Sequence, residues 1–272
     1  MDRSLLINVA SLITSSYGLI RCTHIKLPSS LAQAGQKQFL TNISLAATIS
    51  HNVVTIVSHV AKRIKKHRSQ KKRQEKAYAR AIASAEELRD LKLEPNEKRL
   101  QQQDDSPDSD GCALSLLTLI NRHVTLPLAL VLESVVATVY WPLRLFAIGL
   151  ILQGAKRKSP VPLHIDVSIH LLPILYMLSD YYFTDASERF KIGLAQSWGI
   201  IAAVGLAYKS YLSALIDTST GQKYPYPFLD VPEPYKSVIF VVVTSFGWLF
   251  YVAYRALPPR DKVSKKERSK MD

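Results

Sequence analysis

The sequence predicts an all-α polytopic membrane protein, a bundle of about six transmembrane helices with a long charged cytosolic loop between helices 2 and 3. Two observations support this prediction: the chain of 272 residues is 47% hydrophobic, and its apolar and charged residues are strongly segregated. Long apolar runs fill most of the chain, whereas the segment 62–110 consists largely of charged residues and glutamine. Segregation on this scale is typical of membrane-spanning helices joined by solvated loops.

Six segments meet the requirement for crossing the hydrocarbon core, which takes about 20 mostly apolar residues in a helix. The first segment is short and rich in Ser and Thr. The third is preceded by an apolar stretch that begins at Ala113, which is either an interfacial helix or an early start of the span. Between these stretches, we expect Asn121, Arg122 and His123 to lie at the membrane interface. The expected spans are 5–20, 39–61, 126–151, 162–183, 192–216 and 238–257.

The charged segment between the second and third spans is one of four parts into which the chain divides. Residues 70–93 contain helix formers and no Pro or Gly, which predicts a charged surface helix. The polar run at 101–110 predicts disorder. A solvated connector is the expected role of this loop, and a specific binding site is the alternative. The four parts are helices 1 and 2 (1–61), the charged loop (62–112), helices 3 to 6 (113–257) and a basic tail (258–272).

The orientation follows from the distribution of Lys and Arg. With six spans, 24 of the 35 Lys and Arg lie on the side shared by both termini and the long loop, and 8 lie on the other side. Because cytosolic loops carry an excess of Lys and Arg, both termini are expected to be cytosolic. Topology and attraction to anionic lipid headgroups explain the net charge of +13. No nucleic-acid partner is therefore expected.

Five ionisable side chains fall inside the predicted spans: His51, Glu133, Asp166, His170 and Asp180. Such a side chain costs roughly 2.5–3.5 kcal/mol on insertion scales, so each one requires a partner or a function. Asp166 and His170 are four residues apart and share one helical face, so the carboxylate can orient the imidazole. Glu133 and His51 can pair across helices, which would be structural support.

In this topology His170, Thr41 and Asn42 lie near the same lumenal boundary, together with the loop KYPYPFLDV before the sixth span. A threonine hydroxyl needs an adjacent base to act as a nucleophile, and histidine has a suitable unperturbed pKa. Spacing alone leaves two interpretations open. Thr41 and His170 are either a catalytic pair for a lipid ester, or a threonine bonded to its own helix and a hydrogen-bonding strut.

Three segments, in this order, resemble a known family: QFLTNIS in the second span, DVSIHLLP in the fourth, and YPYPFLDV before the sixth. They are similar to the androgen-induced-protein family of multi-pass membrane proteins, whose animal members hydrolyse fatty acid esters of hydroxy fatty acids. The resemblance implies the same chemistry, with Thr41 as nucleophile and His170 as base, and implies no metal or organic cofactor. Asp166, Asn42 and Glu133 are further candidates for supporting roles.

The chain departs from the family pattern in three places. Its basic loop is longer than in the animal members, Gln38 replaces an aromatic or basic residue, and Lys223 and Tyr224 stand where tryptophan is usual. We therefore expect a fungal relative in the endoplasmic reticulum membrane, acting on membrane lipids. The alternative is a non-catalytic membrane protein that binds lipid or scaffolds a partner. A transporter is less favoured, because no inverted repeat is visible.

Overall fold

The computed structural model describes residues 2–90, 109–151, 161–184 and 189–259, and within these ranges the chain is helical and contains no β-strand. A π-helical turn, Asn121–Thr125, joins the fourth α-helix to the fifth. The predicted all-α fold of a polytopic membrane protein is confirmed. The α-helices of the described ranges are α1 (Arg3–Thr23), α2 (Ser29–Ala32), α3 (Leu40–Asp90), α4 (Ser109–Ile120), α5 (Leu126–Phe146), α6 (Leu163–His170), α7 (Leu172–Phe183), α8 (Leu194–Leu215) and α9 (Tyr235–Ala256).

Five segments of the described residues are long and apolar enough to cross a membrane by length and composition. The segment predicted as the fourth span, 162–183, consists instead of two short helices, α6 and α7, which meet at Leu171. Pro173 explains the break, because proline has no N–H to donate to the carbonyl of Ile169 and its ring crowds the preceding turn. The five segments are Arg3–Thr23, Leu40–Ile82, Cys112–Phe146, Leu194–Leu215 and Tyr235–Ala256.

Helix α3 is one continuous rod of 51 residues, about 77 Å long at 1.5 Å per residue. Its sequence contains neither Pro nor Gly, so nothing interrupts the helix where the apolar part gives way to the charged part. The predicted second span and the surface helix predicted at 70–93 are therefore one element up to Asp90. Most of the run predicted to be disordered, 101–110, lies outside the described residues, as does most of the basic tail.

Helices α4 and α5 and the π-helical turn between them form a second continuous rod, 109–146. The apolar stretch that precedes the third span is thus part of the same helix. Asn121, Arg122 and His123, which are expected at the membrane interface, lie in the π-helical turn and are buried within the protein. Asn121 Nδ2 donates a hydrogen bond to Thr55 Oγ1 on α3 at 2.9 Å, which satisfies this buried amide.

The spanning helices alternate in direction, so the start of α3, the end of α5, the helix α6 and the loop 216–234 meet at one end of the bundle. We call it the site end. Helix α1 packs against α3, α6 and α7, while α9 packs against both α5 and α8. The opposite end is filled by large apolar side chains, among them Leu130, Met177 and Tyr181, which are fully buried.

Helix α1 contacts its neighbours through a stripe of small side chains, as is common where membrane helices approach closely. Gly18 belongs to this stripe and faces α6. A Cβ atom at Gly18 would lie 2.5 Å from Cγ2 of Ile169, so a side chain here would push α6 away. The absence of a side chain at Gly18 thereby fixes the position of the short helix that contains His170. The buried residues of the stripe are Ser4, Asn8, Ser11, Ser15, Gly18 and Cys22.

Candidate functional site

Thr41 and His170 are neighbours in space, although 129 residues separate them in the sequence. Thr41 is the second residue of α3, and His170 is the last residue of α6. The Oγ1 atom of Thr41 lies 3.3 Å from Nε2 of His170, and both side chains are buried. The two residues paired on the basis of sequence therefore have the geometry of a hydroxyl group beside a base.

The break before Pro173 determines where the imidazole lies. It ends α6 at His170 and lets the chain change direction before α7 begins. The carbonyl oxygen of His170 accepts a hydrogen bond from Nε1 of Trp141 on α5, at 3.2 Å. Trp141 thus anchors the end of α6 to α5.

Asp166, one helical turn before His170, contacts the imidazole directly. The Oδ1 atom of Asp166 lies 2.8 Å from Nδ1 of His170, and the carboxylate is fully buried. Because a carboxylate only accepts hydrogen bonds, Nδ1 is the protonated nitrogen and Nε2 has its lone pair directed at Thr41. This is the tautomer that general-base chemistry on Thr41 requires.

Two residues on α5 complete the surroundings of this carboxylate. The Nε atom of Arg144 lies 2.8 Å from Oδ2 of Asp166, and the Tyr140 hydroxyl donates a hydrogen bond to Oδ1. The Tyr140 ring also stacks on the His170 ring, with centroids 3.4 Å apart and planes inclined by 6°. The guanidinium compensates the cost of burying Asp166, since a buried charge is tolerated when it is paired and hydrogen-bonded. The spacing of residues within α6 could not predict these contacts, because Arg144 and Tyr140 lie on α5.

Tyr226, the third residue of YPYPFLDV, approaches Thr41 from the loop before α9. Burial raises the pKa of the Tyr226 phenol, and hydrogen bonds with the Thr41 side chain and with the backbone N–H groups of Leu40 and Thr41 lower it in part. These N–H groups belong to the first turn of α3, where amides have no acceptor within the helix. A phenol is protonated at neutral pH, so the Tyr226 hydroxyl can donate a hydrogen bond.

Asn42 and Glu133, the other two candidates for supporting roles, have partners outside the Thr41–His170 pair. Asn42 Nδ2 donates to the carbonyl of Gln36 at 2.7 Å and so stabilises the loop before α3. Glu133 accepts a hydrogen bond from Thr48 Oγ1 at 2.8 Å, further along α3 than Thr41. Their observed contacts are structural.

The pair of Glu133 and His51 suggested by the sequence is replaced by a different one. His51 Nε2 lies 3.4 Å from Oδ2 of Asp180 on α7, and its Nδ1 lies 3.0 Å from Oγ1 of Thr125. Ser4 on α1 donates to the same aspartate at 2.6 Å. This second buried Asp–His pair joins α1, α3 and α7 near the opposite end of the bundle.

Two pockets meet at Thr41. The first, which we call the deep cavity, has a volume of about 320 Å³ and extends between α5, α8 and α9. The second, which we call the small pocket, has a volume of about 140 Å³ and includes His170, Asn42 and Lys26 in its wall. Thr41, Tyr140 and Tyr226 line both. Among the described residues no group of three or more His, Cys, Asp or Glu is arranged to hold a metal ion.

Comparison with known proteins identifies relatives in two yeasts. The UPF0641 membrane protein YHR140W of Saccharomyces cerevisiae is 43% identical over 271 residues, which cover 99% of this chain and 95% of that protein. The UPF0641 membrane protein PJ4664.05 of Schizosaccharomyces pombe is 28% identical over 145 residues, 53% of this chain and 63% of its own length. No solved structure matches the chain.

A family model described as FAR-17a/AIG1-like protein matches residues 100–258. This segment contains His170, Asp166, Tyr140 and Tyr226, whereas Thr41 precedes it and lies in the part covered by the Saccharomyces relative. The matched segment exceeds half of the chain, and the resemblance to the androgen-induced family and its fungal relatives is confirmed. This protein is a member of the FAR-17a/AIG1-like family of membrane proteins.

Proposed function

We propose that this protein is an integral membrane hydrolase of lipid esters, with fatty acid esters of hydroxy fatty acids or similar lipids as substrates. Thr41 is the nucleophile and His170 is the general base. The observation that supports this proposal is the 3.3 Å approach of Thr41 Oγ1 to His170 Nε2 at the junction of two pockets. Concave, mostly apolar pockets with a few convergent polar groups are typical of sites for lipid-like molecules.

In the first half of the reaction Thr41 becomes acylated. His170 Nε2 takes the proton of the Thr41 hydroxyl while Oγ1 forms a bond to the ester carbonyl carbon. The resulting tetrahedral oxyanion collapses, the bond to the alcohol oxygen breaks, and the proton on Nε2 passes to that oxygen. Asp166 stabilises the imidazolium that forms in between, and Arg144 pairs with the second oxygen of Asp166.

In the second half, water replaces the alcohol. His170 Nε2 takes one proton from water while the water oxygen attacks the acyl carbon. The second tetrahedral intermediate expels Thr41 Oγ1, which recovers the proton from Nε2. The net reaction converts one ester and one water into one acid and one alcohol.

A donor for the oxyanion is present where α3 begins. The backbone N–H of Thr41 and the Tyr226 hydroxyl both adjoin the Thr41 side chain. Donors that point to the position of developing negative charge in a dry site contribute strongly to catalysis, and removing one such donor typically lowers turnover about 10²–10³-fold. We assign the stabilisation of the oxyanion to the Tyr226 hydroxyl, whose oxygen accepts from the backbone N–H groups of Leu40 and Thr41.

The site is proposed to operate in the endoplasmic reticulum membrane, with both chain termini on the cytosolic side and lipids of the bilayer as the source of substrate. The excess of Lys and Arg in the 62–112 loop and near the termini supports this orientation. A tag after residue 272 that is digested by protease in sealed microsomes would agree with it. A tag protected until detergent is added would contradict it.

The test of the hydrolase proposal uses purified protein in detergent or lipid nanodiscs. Wild-type protein should cleave lipid esters and react covalently with a fluorophosphonate probe. Thr41→Val, which keeps the shape and removes the hydroxyl, should abolish both activities, and so should His170→Ala. Thr14→Val is the matched control, because the Thr14 hydroxyl bonds only to its own helix, to the carbonyls of Ala10 and Ser11.

Probe labelling that persists in Thr41→Val at the wild-type rate would refute the assignment of the nucleophile. Thr41→Ser retains a hydroxyl at the same place and is expected to keep measurable activity. Loss of activity in Thr41→Val together with retention in Thr41→Ser separates the chemistry of the hydroxyl from its packing.

The second candidate function is lipid binding without chemistry. The deep cavity favours it, since an apolar space of about 320 Å³ can hold a lipid chain whether or not Thr41 reacts. The two candidates differ in one result. A non-catalytic protein retains lipid during purification, and Thr41→Val then changes neither the retained lipid nor any turnover.

A further inference from the structure

The deep cavity is long compared with the thickness of a membrane leaflet. Tyr140 lines its upper part at the site end, and Val124 lines the far end of the cavity on the same continuous rod. These residues are 16 positions apart in the sequence, which corresponds to about 24 Å at 1.5 Å per residue. Half of the hydrocarbon core measures about 15 Å. The cavity therefore extends past the depth of one leaflet.

The middle of the deep cavity is apolar. Its wall there consists of Val131 and Val135 on α5, Ile201 on α8 and Gly247 on α9. A polar group in this part would lose its hydrogen bonds to water and find no replacement, so a hydrocarbon chain suits it best. The tyrosines of the wall lie mainly at the site end, close to Thr41.

His170 distinguishes the two pockets from each other. Its side chain lines the small pocket and does not line the deep cavity. In ester hydrolysis the base that activates Thr41 afterwards protonates the departing alcohol oxygen. The alcohol must therefore lie on the side of His170, in the small pocket, and the acyl chain must lie on the other side of Thr41.

We propose that the deep cavity is the acyl subsite and determines the chain length of the accepted acid, while the small pocket receives the alcohol. This assignment rests on the proposed function. It makes Val131 and Gly247 the residues that limit chain length, because they lie side by side in the wall of the cavity. A Cβ atom added at Gly247 would lie 3.5 Å from Cγ1 of Val131. Val131 is nine positions from Tyr140, or about 14 Å deeper.

The first test is the chain-length profile of Val131→Phe on p-nitrophenyl butyrate, octanoate and palmitate. A phenyl ring at this depth should lower the ratio of palmitate to butyrate hydrolysis by about tenfold or more, the size of discrimination that a filled hydrophobic pocket gives. Gly247→Ala is the milder variant, since its Cβ makes only ordinary contacts at 3.4–3.5 Å, and should lower the ratio less. Val241→Phe adds the same ring on an exposed face of α9 and should leave the ratio unchanged.

A ratio that stays at the wild-type value in both Val131→Phe and Gly247→Ala, with hydrolysis intact, would overturn the subsite assignment. The second test does not depend on turnover. Palmitate with a photoreactive alkyl diazirine at its terminal carbon is cross-linked to Thr41→Val protein, and the adducts are located by mass spectrometry. Adducts at His123 or Pro127, which are buried residues of the cavity wall near its far end, support the assignment, while adducts confined to exposed positions such as Val241 contradict it. Adducts at the far end without any hydrolysis by wild type would reject the hydrolase proposal and retain the cavity as a chain-binding site.

Discussion

The substitution Asp166→Asn tests whether the carboxylate acts through His170 or only holds the bundle together. Asp166 has three partners at its two oxygens: the imidazole at 2.8 Å, the Arg144 guanidinium at 2.8 Å, and the Tyr140 hydroxyl. Asparagine keeps the size of the side chain and removes the charge. Its amide can donate to Nδ1, which moves the proton of His170 to Nε2 and leaves no lone pair for Thr41.

Two magnitudes follow from these contacts. The rate of acylation should fall about 10⁴-fold, as it does when the same change is made in a serine triad. The free energy of unfolding should fall by about 1.5–3 kcal/mol, because the partly buried Arg144 guanidinium loses its charged partner. Probe labelling per folded molecule measures the first effect, and thermal unfolding in detergent measures the second.

The double variant Arg144→Gln with Asp166→Asn separates the two effects. It removes both charges, so most of the lost stability should return, while acylation stays low because the tautomer is still wrong. Asp180→Asn is the matched control: it disrupts the second buried Asp–His pair and should lower stability without lowering labelling per folded molecule. Labelling of Asp166→Asn at the wild-type rate would refute the orienting role of Asp166.

Three further predictions concern the surroundings of the site. Tyr226→Phe removes a proposed oxyanion donor and should lower turnover about 10²–10³-fold. The free energy of unfolding should fall by only about 0.5–1.5 kcal/mol, the contribution of one hydrogen bond. Unchanged turnover would show that Tyr226 does not take part in catalysis. Pro173→Ala restores a backbone N–H and should straighten the junction of α6 and α7, so that ester hydrolysis falls while the melting temperature is retained or rises. Gly18→Ala places a Cβ 2.5 Å from α6 and should cost about 1–3 kcal/mol and reduce hydrolysis, whereas Gly199→Ala, with no atom within 4 Å, should affect neither.

The elements of the fold that depend on local sequence could be predicted well. Apolar run length placed the first, fifth and sixth spans within a few residues of the observed helices, as with α9, expected at 238–257 and found at Tyr235–Ala256. Two features were missed, for opposite reasons: the break in the fourth span, and the continuation of the second span into the charged surface helix within α3. Pro173 interrupts a run that length alone treats as one helix, whereas α3 continues because neither Pro nor Gly marks a boundary in it.

The candidate site could be predicted only in part. The four-residue spacing of Asp166 and His170 gave their contact, because residues on one helical face must meet. The approach of Thr41 required the topology and the family resemblance. The loop that contains Tyr226 was placed near Thr41, but its contact was not predicted. Arg144 could not be found, since periodicity shows which face of a helix is buried but not which neighbouring helix covers it. An arginine one turn after Tyr140, near the end of an apolar span, was the only local sign that a buried anion lay nearby.

The separation of 129 residues between Thr41 and His170 has a consequence for biosynthesis. At a ribosomal rate of about 5–20 residues per second, the imidazole is synthesised roughly 6–26 s after the hydroxyl, and Tyr226 later still. Helix α3 therefore enters the membrane with an unpaired threonine. The hydroxyl and the base meet only after α5 and α6 have been inserted and docked. A nascent or truncated chain thus lacks the proposed catalytic pair, which is assembled as the bundle closes.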